Sequence, residues 1–168
     1  MTRLSLDYFA RDTVDVAQDL LGCILVHQVG ETRVAGRVVE TEAYSGWDDL
    51  ASHGRAGRTE RNLPMFGPVA VSYVYLIYGM YWLLNVVAKP PDADYPAAVL
   101  IRALEPVDGL EFMAAQREGR RQREWTSGPG RLTLALGIAK GLNGISMVEP
   151  DSPLFFEAGA GPAVIATG

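Results

Sequence analysis

Two carboxylates stand two residues apart in the run RVVETEAYSGWDDLASH, residues 37–53: Glu40 and Glu42, with Tyr44 two residues further on. In an extended chain these three share one face, roughly 7 Å between successive side chains. Burying two unpaired carboxylates is costly. Such a face therefore belongs either to a solvent edge or to a site that uses a carboxylate to accept a proton. The loop that follows adds Trp47, Asp48, Asp49 and His53. Spacing alone leaves open the plainer alternative, a strand with an exposed polar end.

The elements that must position this face can be read on either side of it. Residues 12–21 have helical spacing, with Val14, Ala17, Leu20 and Leu21 on one side, Asp12 or Thr13 as cap and Gly22 as stop. Cys23–Val29 and Thr32–Tyr44 form a hairpin about Gly30-Glu31. The long loop 45–68 holds Arg55, Arg58 and Arg61, and loops of that length are usually functional or disordered. Residues 69–88 predict a second hairpin with Gly79-Met80 at the centre of a type II′ turn, so that Tyr78 and Tyr81 face each other beside it. An exposed Tyr78 at such a tip points to contact with an apolar partner or a base-pair stack. A strand over Ala97–Leu104 carries Arg102 in an apolar setting, where it needs an anion; Glu42 is a candidate. A helix over 106–118 with Pro106 at its start, a basic loop, and a helix over 131–140 follow. Ser127-Gly128-Pro129-Gly130 precedes that last helix and leaves N–H groups free for a phosphate. The tail has two strand-like runs, LFFEA and AVIA, and the loop 89–96 is assigned no role.

At 168 residues and 48% hydrophobic, the chain is expected to form one domain, residues 1–168, of α+β class with a mainly antiparallel sheet. No apolar run is long enough for a membrane span and no export signal opens the chain, so a cytoplasmic location is expected. The single cysteine, Cys23, sits in the apolar run CILV and is read as core. With two histidines and no HExxH, GxGxxG or Walker-type motif, neither a metal nor a nucleotide cofactor is expected. The net charge of −5 hides a segregation: residues 1–50 hold four basic and nine acidic side chains, residues 51–140 eleven and eight. Local charge decides phosphate binding, so the acidic total does not exclude DNA.

The runs GRVVETEAYSG (36–46), SH (52–53), RN (61–62), MFG (65–67), YVYLIYGMYWLLNV (73–86), LIRALEP (100–106) and SGPGRL (127–132) together resemble the alkyladenine (3-methyladenine) DNA glycosylases of the mammalian type. The resemblance covers residues 3–166 in order. It implies a compact, monomeric, cofactor-free α+β domain that acts on damaged double-stranded DNA, in a bacterial-type setting at the nucleoid. It implies that Glu42 activates water with Arg102 beside it. Tyr44, His53 and Tyr75 would contact the flipped base, and Asn85 would help to discriminate bases. Tyr78 would wedge into the minor groove, and Arg58, Arg61 and Arg131 would lie along the DNA backbone, the last where the family typically has lysine. Chains of the family run past the position of Gly168, so a shortened C-terminus is expected.

A base inside a duplex must be flipped out before it can be reached, at a cost of a few kcal/mol. Glycoside hydrolases place carboxylates on opposite sides of the scissile bond. Glu40 and Glu42 on one strand face cannot do so, which leaves Glu42 alone as base and Glu40 structural. No lysine is placed for a Schiff base, so lyase activity is not expected. Two other readings stay open here: a non-catalytic binder of distorted nucleic acid, and a free-nucleoside hydrolase, which would not need Tyr78.

Overall fold

The computed structural model describes residues 2–47, 57–162 and 164–168. Two short helices open it, α1 (Leu6–Phe9) and α2 (Thr13–Asp19). The Asp12 carboxylate accepts from the Val14 and Asp15 amides and so caps α2. Strands β1 (Ile24–Val29) and β2 (Thr32–Ser45) make the first hairpin, β3 (Ser72–Ile77) and β4 (Tyr81–Val86) the second. Strand β5 (Ala97–Asp108), helices α3 (Leu110–Gln116) and α4 (Pro129–Leu136), and strand β6 (Leu154–Glu157) complete the order. The strands form one antiparallel sheet, β3-β4-β5-β2-β1-β6, which bears out the α+β expectation. Among the described residues no helix is long and apolar enough to cross a membrane.

The helices cover one sheet face. Phe9, Val16 and Leu20 before the sheet and Met113, Leu132 and Leu136 after it pack with Leu25, Val34, Val38, Val99, Ile101 and Phe156. On the other face Ile24, Val26, Ala35 and Phe155 form a small second cluster, so β1 is buried on both sides. Cys23 is core, as its apolar run indicated.

Several local expectations are corrected. Pro106 does not start a helix: β5 continues through it to Asp108, and the β2–β5 ladder shifts register between Ala35 and Gly36, opposite the proline that has no N–H to donate. The helix waits for Gly109, whose φ of 70° turns the chain; a Cβ there would lie 2.6 Å from the Arg33 carbonyl oxygen. Helix α4 begins at Pro129 and stops at Gly137, which takes the left-handed cap conformation. LFFE is strand β6, but no strand forms among the described residues of AVIA.

His27 is buried on β1 with Nδ1 2.6 Å from the Leu136 carbonyl oxygen, joining the sheet to the end of α4. Burial lowers its pKa below the ordinary imidazole range, against the opposing effect of that hydrogen bond. Folded His27 thus takes up a proton less readily than the unfolded chain. Its contribution to stability is whole above about pH 6.5, the unfolded value, and is lost as pH falls below it. Denaturant melts between pH 7.5 and 5.5 should show stability falling in the wild type, with a shallower fall in His27→Gln.

Candidate active site

The second half of β2 is freed from its hairpin partner. Ile24, at the start of β1, pairs with Arg37, and past Val38 the strand Val39–Ser45 pairs with β5 alone among the described residues. Helix α2 approaches the vacated edge, where the Thr41 hydroxyl donates to the Ala17 carbonyl at 2.8 Å. The β2–β5 ladder is also irregular here. Val38 pairs with Leu104, Glu40 with Ala103 and Thr41 with Ile101, so neither Val39 nor Arg102 has a direct partner. Such bulges re-aim side chains beside functional sites. Arg102 Nη1 lies 2.5 Å from Glu42 Oε1, as the sequence led one to look for.

The other carboxylate oxygen, Oε2, accepts from the Tyr44 hydroxyl. Glu42 is therefore held by a donor at each oxygen. Burial first, and then the bond to Glu42, raise the Tyr44 phenol above its ordinary range, so it remains a protonated donor at neutral pH. The ion pair is 41% and 35% exposed at its two side chains. Water screens it, and it orients the carboxylate more than it stabilises the fold. An open cleft of about 890 Å³ passes over this group, lined by Gln18, Glu40, Glu42, Tyr44, Arg102 and the segment 165–168. Glu40 and Glu42 thus share the cleft rather than flank it.

Across the sheet, Tyr73 pairs with Asn85, Asn85 with Leu100, and Leu100 with Glu42. Directly paired residues project to one face, so these four form a row over β3, β4, β5 and β2 that leads from an aromatic wall to the carboxylate. Asn85 is buried and its amide donates to the Tyr73 carbonyl at 3.2 Å. Tyr75 stacks beside Tyr73 with ring centroids 5.0 Å apart and planes tilted by 32°. Burial raises the Tyr75 phenol above its ordinary range; the charge of Arg61 opposes the rise and that of Glu42 adds to it. Tyr75 is thus within electrostatic reach of Glu42. Ala98, opposite Tyr44 on β5, packs with Tyr73, Tyr75 and Met65.

Two of the three arginines expected along DNA are placed against rings. The Arg61 guanidinium lies 5.2 Å from the Tyr75 ring centre and donates to the Leu76 carbonyl at 2.7 Å; that of Arg58 lies 5.1 Å from the Phe66 ring centre. Trp47 meets the same Phe66, centroids 5.5 Å apart. Asn62, which spacing did not single out, is buried and organises the segment: it accepts from the Thr59 amide at 2.7 Å and donates to the Gly57 carbonyl at 2.9 Å. Asp48, Asp49, His53 and Arg55 lie outside the described residues.

At the hairpin tip Ile77, not Tyr78, pairs with Tyr81, and the Met80 amide donates to the Ile77 carbonyl at 3.1 Å. The central residues of this turn are Tyr78 (φ 52°) and Gly79 (φ 65°). Both are positive, as in a type I′ turn; the expected II′ turn would have only the first positive. Tyr78 accordingly stands at the apex, 86% exposed. Beside it a groove of about 580 Å³ runs between Tyr78 and Tyr81 on one side and Arg117, Arg120, Arg131 and the start of α4 on the other. Gly130 permits the approach, since a Cβ there would lie 3.0 Å from Tyr81 Cβ. Arg131 donates to the Ser127 hydroxyl at 2.9 Å. Arg117 Nε is buried without a hydrogen-bond partner, and burial followed by the charges of Arg120 and Arg131 disfavours its guanidinium cation. Among the groove's lining residues only Glu124 is acidic, so the groove suits an anion.

Among the described residues no three His, Cys, Asp or Glu side chains gather as a metal site requires. The model of the methylpurine-DNA glycosylase family matches residues 7–167. A protein of Methanocella arvoryzae is 48% identical over 165 residues, 98% of this chain and 80% of its own. One of Methanoculleus marisnigri is 50% identical over 155 residues, 92% and 78% of the two chains. One of Bacillus subtilis is 42% identical over 166 residues, 98% and 82%. All three bear the name "Putative 3-methyladenine DNA glycosylase". With nearly its whole length matched, and with the ETEAY and YVYLIYGMY runs forming the carboxylate row and the exposed tip, the chain belongs to the methylpurine-DNA glycosylase family.

Proposed function

We propose that this protein flips an alkylated purine, 3-methyladenine foremost, out of duplex DNA and hydrolyses its N-glycosidic bond with water activated by Glu42. The observation that carries this reading is the Glu42 carboxylate, held at both oxygens and set at the end of a row that begins at the tyrosine wall. The flipped base stacks between Tyr44 and Tyr75, with His53 as the further contact that the family resemblance implies. Stacking on such rings contributes about 1–3 kcal/mol per base, and a purine made cationic by alkylation gains further attraction to the ring faces. Asn85 lies in the same row and bears on which purine fits. Tyr78 enters the minor groove, fills the vacated space and offsets the loss of stacking. The arginine groove beside it takes backbone phosphates, with Arg131 among its ligands.

In the chemical step the water oxygen bonds to C1′ and the C1′–N bond breaks, its electron pair passing to the base. A purine alkylated on a ring nitrogen leaves neutral, so a single carboxylate suffices. Glu42 takes the proton of the water and its charge stabilises the oxocarbenium character on the sugar. Glu40, on the same side of the cleft, has no part in this step.

Single-turnover release of 3-methyladenine from methylated duplex should be clear in the wild type and fall roughly 10²- to 10⁴-fold in Glu42→Gln, with duplex affinity retained. Binding of damaged duplex without release by either protein would favour a binder of distorted DNA instead. Tyr78→Asn separates stability from function at the tip. Asparagine accepts a positive φ more readily than tyrosine, so the melting temperature should hold or rise slightly while release from duplex falls far more than release from single strands. Equal loss on both substrates would remove the wedge.

A further inference from the structure

A carboxylate that must accept a proton from one particular water needs its plane fixed as well as its position. Held only through Oε1 by Arg102, the Glu42 carboxylate could still turn about its Cγ–Cδ bond. The second donor, the Tyr44 hydroxyl on Oε2, removes that freedom. Both residues project from the same face of β2, two positions apart, so the phenol folds back along the strand to reach the carboxylate. Each carboxylate oxygen keeps a further lone pair for water, now with a fixed direction.

Resting on the glycosylase reading above, we infer that the Tyr44 hydroxyl is a positioning group for Glu42, so that one side chain serves as base-stacking wall through its ring and as carboxylate clamp through its oxygen. The ring that senses whether a purine lies in the cleft is thereby tied to the orientation of the catalytic carboxylate. A purine that displaces Tyr44 wrongly leaves Glu42 free to turn. Among the described residues, the other charged or titratable side chains around Glu42 are Arg102 on β5, Tyr75 on β3 and Glu40 on β2 itself. Arg102 donates to Oε1 and not to Oε2, so Tyr44 has no substitute at that oxygen among the described residues.

Tyr44→Phe separates the two roles, because it keeps the ring and removes the donor; Tyr44→Leu removes both. Damaged-duplex affinity and single-turnover release at saturating protein are measured for each. Tyr44→Phe should bind within about twofold of the wild type yet release base roughly 10- to 100-fold more slowly, the loss expected for a hydrogen bond to a charged group. Tyr44→Leu should lose affinity as well. Wild-type release by Tyr44→Phe, or an equal fall in its affinity and rate, overturns the clamp. A wild-type protein that releases no base overturns the glycosylase reading first, and the clamp with it.

Discussion

The structure turns on a negative charge held still. The Glu42 carboxylate is neither free in solvent nor buried in the core: Arg102 takes one oxygen and Tyr44 the other, at the lip of an open cleft. Full exposure would leave the group mobile, and burial without partners would strongly disfavour the ionised form. The sheet is built around this compromise. β2 outruns β1, so half of its edge opens onto the cleft and α2. β5 runs alongside with a bulge at Arg102 that aims the guanidinium at the carboxylate. Two of the three departures from a regular β2–β5 ladder lie beside the site, and the third answers to Pro106.

The hairpin tip answers a different constraint: under the proposed function, a group that is to enter DNA must stand clear of its own protein. Tyr78 does so in a backbone conformation that tyrosine rarely adopts. Local strain of this kind persists when surrounding structure holds it. Here the paired strands behind Tyr78 and α4, packed on Tyr81 through Gly130, provide that support. The same packing sets three arginines next to the tip, where their mutual repulsion suits the groove to an anion. The exposed tyrosine and the cation cluster are thus one assembly, supported by the core that carries the carboxylate row.

Much of this was legible in the residues. Periodicity marked α2 and its aspartate cap, the alternation in ETEAY placed Glu40, Glu42 and Tyr44 on one face, and an arginine in an apolar strand had to find an anion. What was misread depended on partners distant in sequence. Proline at a helix start is a strong local signal, but pairing between β2 and β5 overrode it at Pro106. Nothing local demanded a positive φ at Tyr78, so glycine was taken for the first turn residue when it is the second. Nor could spacing show that Arg58 and Arg61 lie against Phe66 and Tyr75, rings brought to them by the fold. Asn62 entered only as part of the RN run and without a role, because a buried asparagine that ties its own loop together looks like any polar loop residue.

The most direct test is chemical rescue of Glu42→Ala, whose truncated side chain leaves room for a small carboxylate in the cleft. If an ionised carboxylate at this place activates the water, formate should restore base release in a saturable, concentration-dependent manner while chloride at equal ionic strength does not. A variant that binds damaged duplex normally and ignores formate, or one that retains the wild-type rate without it, would contradict the account.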